Sequence, residues 1–327
     1  MAGKGKRMRP HTLTTPKPLI KLAGKPIVQR LVESISKSLP VKPDEIAFVV
    51  GDFGKAVEEE LLAIARHAGA QGKIYYQNEA LGTAHAINCA AASLEGPLVV
   101  AFADTLFKAE FTLSEESEAV IWIKQLEDPS AFGVVVTNDE CMITDFVEKP
   151  QEFISDKAII GIYYFRDGEA LRARLHSLIS RGMHRNGEYQ LTDTLREMLQ
   201  DGVHFTTAAV DEWLDCGNKD ATVQTNQRIL EHEKSLSLIS PKALIKHSVI
   251  INPCYIAEGV EISNSIIGPH VSIEQHTQID HSIVTNSIIQ SHTKISDANL
   301  DNSMIGSHVE YDGKVSESSI GDFTIIN

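Results

Sequence analysis

The apolar residues of the chain first recur at helical spacing, with Ile27, Val28, Leu31, Val32 and Ile35 on one stripe. They are followed by the continuous run Glu45-Ile46-Ala47-Phe48-Val49-Val50, which Gly51 stops. The stripe predicts an amphipathic helix and the run a buried strand. The alternation continues with a helix over 55–66, a short strand over 73–76, an Ala-rich helix over 82–94 and an apolar strand over 97–103. Further on, 158–165 predicts a strand. Residues 187–193 open a helix with Thr192 or Asp193 as its cap, and 222–235 form an amphipathic helix. Strands alternating with helices predict an α/β domain with a mostly parallel sheet, right-handed crossovers and ligands at the carboxyl ends of the strands.

Beyond residue 235 the period changes. Ile250, Ile256 and Ile262, then Ile267, Ile273 and Ile279, and later Ile289 and Ile295, stand six apart, and small residues follow several of the chain's isoleucines, as in Ile256-Ala257, Ile267-Gly268 and Ile320-Gly321. A six-residue period with polar residues between predicts a hexapeptide β-helix of about four coils, each burying its face on the next. Two domains are expected, 1–235 and 236–327.

Composition is that of an ordinary soluble protein, 43% hydrophobic and 23% charged over 327 residues. No apolar run reaches membrane-spanning length, and no signal peptide opens the chain. Cys89, Cys141, Cys216 and Cys254 are scattered, which points to a reducing, cytoplasmic setting and not to a disulfide framework. A net charge of −14 argues against a nucleic-acid polymer as partner. The charge is unevenly spread. Up to residue 32 there are eight Lys or Arg and no Asp or Glu, and the rest of the chain holds 22 basic and 44 acidic residues. A small polyanion is therefore expected at the N-terminus, where Gly3 and Gly5 let the backbone turn its N–H groups toward phosphates.

The opening residues, Ala2-Gly3-Lys4-Gly5-Lys6-Arg7 followed by Pro16-Lys17-Pro18, resemble the Gly-x-Gly-x-Arg and Pro-Lys-Pro signature of the sugar-1-phosphate nucleotidylyltransferases. Three further stretches agree with that family. Gln77 to Ala86, with its Leu-Gly-Thr-Ala-His-Ala core, resembles the base-recognition segment, and a side-chain amide suits the imide edge of uracil or thymine. Val99 to Phe107 carries Asp104 at the end of an apolar strand. Glu212-Trp213-Leu214-Asp215 resembles the second acidic site. Between them, Phe132-Gly133-Val134, Glu148-Lys149-Pro150, the strand holding Gly161 and the segment at Glu188 resemble the sugar-facing parts.

The resemblance implies an α/β, Rossmann-like nucleotidyltransferase domain followed by a small left-handed hexapeptide-repeat β-helix. It implies Arg7 and Lys17 as catalytic charges and Ala2, Gly3, Gly5, Gln77, Gly82 and Thr83 around the nucleotide. It assigns Gly133, Glu148, Lys149, Gly161 and Glu188 to the sugar phosphate, and Asp104 and Asp215 to Mg²⁺. The expected reaction joins a nucleoside triphosphate, UTP or dTTP by preference, to a glucose-1-phosphate-like sugar. Its products are an NDP-sugar and pyrophosphate. A homo-oligomer formed through the β-helix is expected, with neither nucleic acid nor membrane as partner.

The chain departs from the family in three places. It opens at Met1-Ala2-Gly3 without the short apolar strand that precedes the glycine loop in relatives, so a sheet lacking a central strand is expected. Lys6 replaces a hydroxyl residue, and Ala103 stands where the family has Gly. Two alternatives remain open at this level, a nucleotide-sugar-binding subunit that has lost catalysis and a bifunctional nucleotidylyl- and acetyltransferase. The second would draw on His247, His270, His276, His281, His292 or His308 as a base.

Overall fold

The structure is a computed structural model that describes residues 3, 5–109, 113, 116–182 and 187–313. Ala2 and the Ile320-Gly321 pair lie outside the described residues. The chain divides into two compact units, Met1–Ile20 with Pro26–Gly217, and Lys21–Lys25 with Asn218–Asn327.

The first unit begins with two single 3₁₀ turns, Lys6–Met8 and Lys17–Leu19, which bury Met8, Pro18 and Leu19. The predicted alternation then follows: α1 (Ile27–Ser38), β1 (Glu45–Val50), α2 (Lys55–His67), β2 (Gln71–Tyr76), α3 (Thr83–Cys89), β3 (Leu98–Ala101) and β4 (Thr105–Lys108). Next come β5 (Ala119–Gln125), β6 (Gly133–Thr137), β7 (Ile143–Glu148) and β8 (Lys157–Phe165), with α4 (Gly168–Ser180), α5 (Leu191–Gln200), β9 (Phe205–Ala209) and β10 (Glu212–Asp215) closing the unit.

The sheet expected to be mostly parallel is mixed. β1 and β2 run parallel, joined through α2, and β9 runs parallel to β5. The other pairings of the six-stranded sheet, β8 with β3, β5 and β6, and β6 with β7, are antiparallel. Between β5 and β8 the chain contains no helix, and strands joined without a helical crossover return antiparallel. Among the described residues, the β1–β2 pair shares no ladder with the six-stranded sheet. The helix expected over 82–94 is also shorter: it stops at Cys89, and a 3₁₀ turn covers Ala91–Ser93.

The core lies between this sheet and α3, α4 and α5. Phe146, Phe165 and Phe205 are fully buried there, with ring centroids of Phe205 at 5.2 Å from Phe146 and 6.5 Å from Phe165, edge to face in both cases. β8 exchanges one edge partner along its length, β6 at Ala158 and β3 from Ile162 onward. At the exchange stands Gly161 with φ +86°, in a bulge of the β5–β8 ladder between Ile159 and Tyr163, a backbone that a side chain would strain.

The second unit is a parallel β-helix. Its coils give three stacked ladders of five, four and four short strands, with Leu244, Glu261, Gln278, Lys294 and Glu310 beginning the five strands of the first. Ile256, Ile262, Ile267, Ile273, Ile279, Ile289 and Ile295 fill the interior, as the hexapeptide period demands. His247, His270, His276, His281, His292 and His308 all have φ between 45° and 62°, at the corners of the coils. Histidine tolerates that left-handed conformation better than most residues, which accounts for their recurrence there. At one corner, His276, His292 and His308 stack at 5.1 and 4.9 Å between successive centroids.

The helix expected over 222–235 is observed as α6 (Lys219–Glu233), capped by Asn218. It groups with the β-helix, to which Asn226 bonds through Ser272 at 2.7 Å and Glu231 through His270 at 2.7 Å. The long segment of the second unit therefore starts at Asn218, whereas the sequence pattern divides the chain at 235.

Candidate active site

Asp104 and Asp215 come from distant stretches and are joined by one hairpin-like pairing. β4 and β10 are antiparallel with Thr105 opposite Asp215, and the N–H of Cys216 donates to the Asp104 carbonyl at 3.0 Å. Lys17, lifted toward them by its 3₁₀ turn, donates from Nζ to Asp104 Oδ2 at 2.9 Å. The Lys17 side chain is 10% exposed and that of Asp104 40%, so the ion pair is sheltered on the lysine side and open on the carboxylate side.

The two carboxyls differ in their electrostatics. Burial alone would raise Asp104, but the charge and hydrogen bond of Lys17 outweigh it and hold this carboxyl below its usual range. Burial, with the charge of Asp104 beside it, pushes Asp215 up against the smaller opposing pull of Lys17 and Arg7. The Gly217 N–H donates to Asp215 Oδ1 at 2.9 Å, and a Cβ at Gly217 would come within 2.8 Å of that carboxylate. Lys17 thus acts on both carboxylates, and Arg7 adds a smaller pull on Asp215.

Arg7 sits exposed on the first 3₁₀ turn, near enough to Asp215 to favour its ionised form. Gly5 caps that turn with φ +56°, and Thr12 Oγ1 donates to its carbonyl at 2.8 Å. Gly3 is exposed with open space around it.

Gln77 continues β2, its N–H bonded to the Val50 carbonyl at 2.8 Å. Gly82 has φ +101°, and a Cβ there would stand 2.5 Å from the Tyr189 carbonyl oxygen. The close approach is fixed by two backbone bonds, Tyr189 N–H to the Leu81 carbonyl at 2.8 Å and Ala84 N–H to the Tyr189 carbonyl at 2.9 Å. Thr83 Oγ1 accepts the Leu191 N–H at 2.9 Å. α5 therefore begins at Leu191 after Gln190, without the expected cap from Thr192 or Asp193, and the hydroxyl that serves its first N–H comes from α3.

Of the residues that the sequence expects at the sugar, Gly133, Glu148 and Gly161 lie on β6, β7 and β8. Gly133 pairs with Glu148, and a Cβ at Gly133 would stand 3.2 Å from Glu148 Oε2. Thr192 Oγ1 donates to the same oxygen at 3.2 Å. Lys149, with φ 43°, turns its exposed ammonium to within 3.9 Å of Glu148 Oε1. Glu188 is exposed, and its Oε2 accepts from Gln190 Nε2 at 2.9 Å. Phe132 and Trp213 meet edge to face at 4.7 Å, which ties the β6 end of this wall to β10 and so to Asp215. Sequence reading missed Thr192 as a partner of Glu148, His85 as a partner of Gln77, and Trp213 as a wall residue.

A family model described as nucleotidyl transferase matches residues 1–232. The chain belongs to the nucleotidyl transferase family. Within it, the chain is 30% identical over 242 residues to a low-salt glycan biosynthesis nucleotidyltransferase of Haloferax volcanii, covering 72% of this chain and 65% of that one. It is 27% identical over 313 residues to a glucose-1-phosphate thymidylyltransferase of Streptomyces antibioticus, 88% and 85% of the two chains. A mannose-1-phosphate guanylyltransferase catalytic subunit beta of Drosophila melanogaster is 35% identical over 175 residues, 50% of this chain and 46% of that one. The fold matches a solved UDP-glucose pyrophosphorylase complexed with UDP-glucose at a TM-score of 0.58 and 23% identity, over 71% of this chain and 96% of that one.

The acidic pair also answers whether a nucleotidyl transferase of this sequence could hold a divalent cation. Among the described residues no group of three or more His, Cys, Asp or Glu side chains converges. Two carboxylates, one of them raised by burial and by its neighbour's charge, fit an ion that takes one or two protein carboxylates and fills its remaining positions from phosphates and water.

Proposed function

We infer that the chain transfers a nucleotidyl group from a nucleoside triphosphate to a sugar-1-phosphate, releasing pyrophosphate and an NDP-sugar. The observation that carries this reading is the pair Asp104 and Asp215 brought together beside Lys17, on the unit that also carries Gln77 and Gly82. A sugar-1-phosphate is an anionic nucleophile already, so its oxygen can attack the α-phosphorus without a general base while the bond to pyrophosphate breaks. The barrier lies in bringing two polyanions into line. Lys17 is suited to hold the sugar phosphate, and Arg7 with the amides around Gly3 and Gly5 to balance charge on the triphosphate. Mg²⁺, held by Asp104 and Asp215, would neutralise the phosphates when bound. Glu148, Lys149, Gly133, Gly161 and Glu188 are assigned to the sugar and its phosphate, with Glu148 accepting from hydroxyls.

The relatives name thymidylyl, guanylyl and UDP substrates, and thymine, guanine and uracil share an edge with an N–H beside a C=O. UTP or dTTP with a glucose-1-phosphate-like sugar is the favoured pair. The exposed ladder of Val249, Ile266 and Ile283 on the β-helix supports a homo-oligomer formed through that unit. Among the described residues no helix is long and apolar enough to cross a membrane, and a cytoplasmic site of action agrees with four cysteines that form no disulfide. A panel of nucleoside triphosphates against sugar-1-phosphates, scored by Mg²⁺-dependent pyrophosphate release, tests the reading. Release with at least one pair is expected, and none with any pair overturns it.

A further inference from the structure

Gln77 is 8% exposed, and its amide is held from two sides. Its Nε2 lies 3.0 Å from the Gly82 carbonyl oxygen and 3.0 Å from Nδ1 of His85. A carbonyl oxygen only accepts hydrogen bonds, so the amide atom facing it is the NH₂ group, and the orientation of the amide follows from chemistry alone. Both amide hydrogens are thereby used. The second points at His85 Nδ1, which must then be the bare nitrogen of the ring, with the imidazole proton on Nε2. What Gln77 has left to offer is Oε1, an acceptor without a hydrogen bond among the described residues. The N–H of Gly82 is likewise without one among the described residues, while its carbonyl also accepts from Ala86 N–H at 3.1 Å.

We propose that His85 is a positioning residue that sets base specificity, by locking the Gln77 amide so that an acceptor and not a donor faces the nucleotide. Gln77 Oε1 with the Gly82 N–H presents an acceptor beside a donor. Uracil and thymine answer with N3–H beside a carbonyl, and guanine with N1–H beside O6. Cytosine and adenine offer the reverse order, a bare ring nitrogen beside an amine. Against this pair they would set acceptor against acceptor and donor against donor, leaving buried polar groups unpaired. The Gly82 carbonyl by itself holds the amide at one point. The terminal torsion of glutamine is soft, so an amide released by His85 can swing and offer its NH₂ instead. α3 makes the lock possible, since Gly82 at its cap and His85 one turn later stand on the same side and reach one side chain together.

This proposal rests on the reading of the chain as a nucleotidyl transferase, and the experiment separates the two. Binding of UTP, dTTP, GTP, CTP and ATP to the full chain is measured by calorimetry for the wild type, His85→Leu and His85→Asn, whose Oδ1 can stand in for Nδ1. The wild type should favour one or more of UTP, dTTP and GTP over both CTP and ATP by at least about tenfold, the scale of one well-placed pair of hydrogen bonds. His85→Leu should narrow that ratio by about tenfold, and His85→Asn should largely restore it. A His85→Leu protein that keeps the wild-type ratio overturns the role of His85 and leaves nucleotidyl transfer standing. So does a wild type that favours CTP or ATP. A wild type that binds none of the five overturns both readings. Should His85→Leu fail to fold, the wild-type ring decides by ¹⁵N NMR: a proton on Nε2 supports the lock, and a proton on Nδ1 overturns it.

Discussion

Lys17 Nζ stands 2.9 Å from Asp104 Oδ2, so the lysine expected on a phosphate is bonded to the aspartate expected on a metal. The two assignments are compatible, because Asp104 and Asp215 would hold the cation and Lys17, beside them, would meet the substrate phosphate. Lys17→Met should therefore lower turnover and raise the KM for sugar-1-phosphate together, because a point charge on a phosphate acts in the ground and transition states alike. A change in melting temperature with both kinetic constants intact would make Lys17 structural.

Asp104→Asn and Asp215→Asn should each reduce Mg²⁺-dependent pyrophosphate release at least about a hundredfold, more than the loss of a residue that merely orients a metal ligand. Steady-state kinetics across a Mg²⁺ titration measures this, and circular dichroism checks that both variants fold.

The same two substitutions should move stability in opposite directions. The lowered Asp104 carboxyl contributes stability above its ordinary value of 3.8, and that contribution is lost as pH falls through its folded-state value. The raised Asp215 carboxyl does the reverse: the fold is favoured below 3.8, and that advantage is lost as pH rises through the folded value. At neutral pH and without metal, Asp104→Asn should melt lower than the wild type and Asp215→Asn higher. Both differences should shrink toward pH 3. Equal melting curves at pH 7 would show that the carboxyls do not interact with their surroundings as described.

Gly82→Ala should destabilise the first unit by about 1–3 kcal/mol, since it puts a side chain at positive φ and within 2.5 Å of the Tyr189 backbone. Because Tyr189 and Leu191 are tied to this turn, nucleotide affinity should drop as well. Denaturant unfolding and calorimetry report the two effects separately.

On the β-helix, Val249, Ile266 and Ile283 stack in register and remain 56%, 40% and 44% exposed. If a second copy covers them, Ile266→Glu with Ile283→Glu should reduce the mass in solution by light scattering and leave the fold intact, because both side chains point outward. Ile273→Ala, by contrast, should cost about 2–5 kcal/mol, since Ile273 is fully buried between coils. An unchanged mass in the double variant would remove this face as an interface.

Periodicity by itself determined the α/β alternation of the first unit and the β-helix of the second. Burial forces a six-residue repeat of isoleucines in stacked coils and a 3.6-residue stripe on helices, and both are visible in one dimension. The opening glycines, Lys17, Asp104 and Asp215 stood out through resemblance to a known family, and the structure brings Lys17, Asp104 and Asp215 together. Strand direction was not. Whether β5 to β8 return antiparallel depends on which strands pair, and pairing is chosen by packing across the whole sheet. The partners were also beyond reach of the sequence. Thr83 serving the first N–H of α5, Thr192 on Glu148, Lys17 on Asp104 and His85 on Gln77 are contacts between distant or buried groups, and only the folded chain decides which donor meets which acceptor. Spacing records what a residue could bond, and the tertiary structure selects among those bonds because each buried polar group must find a partner at one place and one angle.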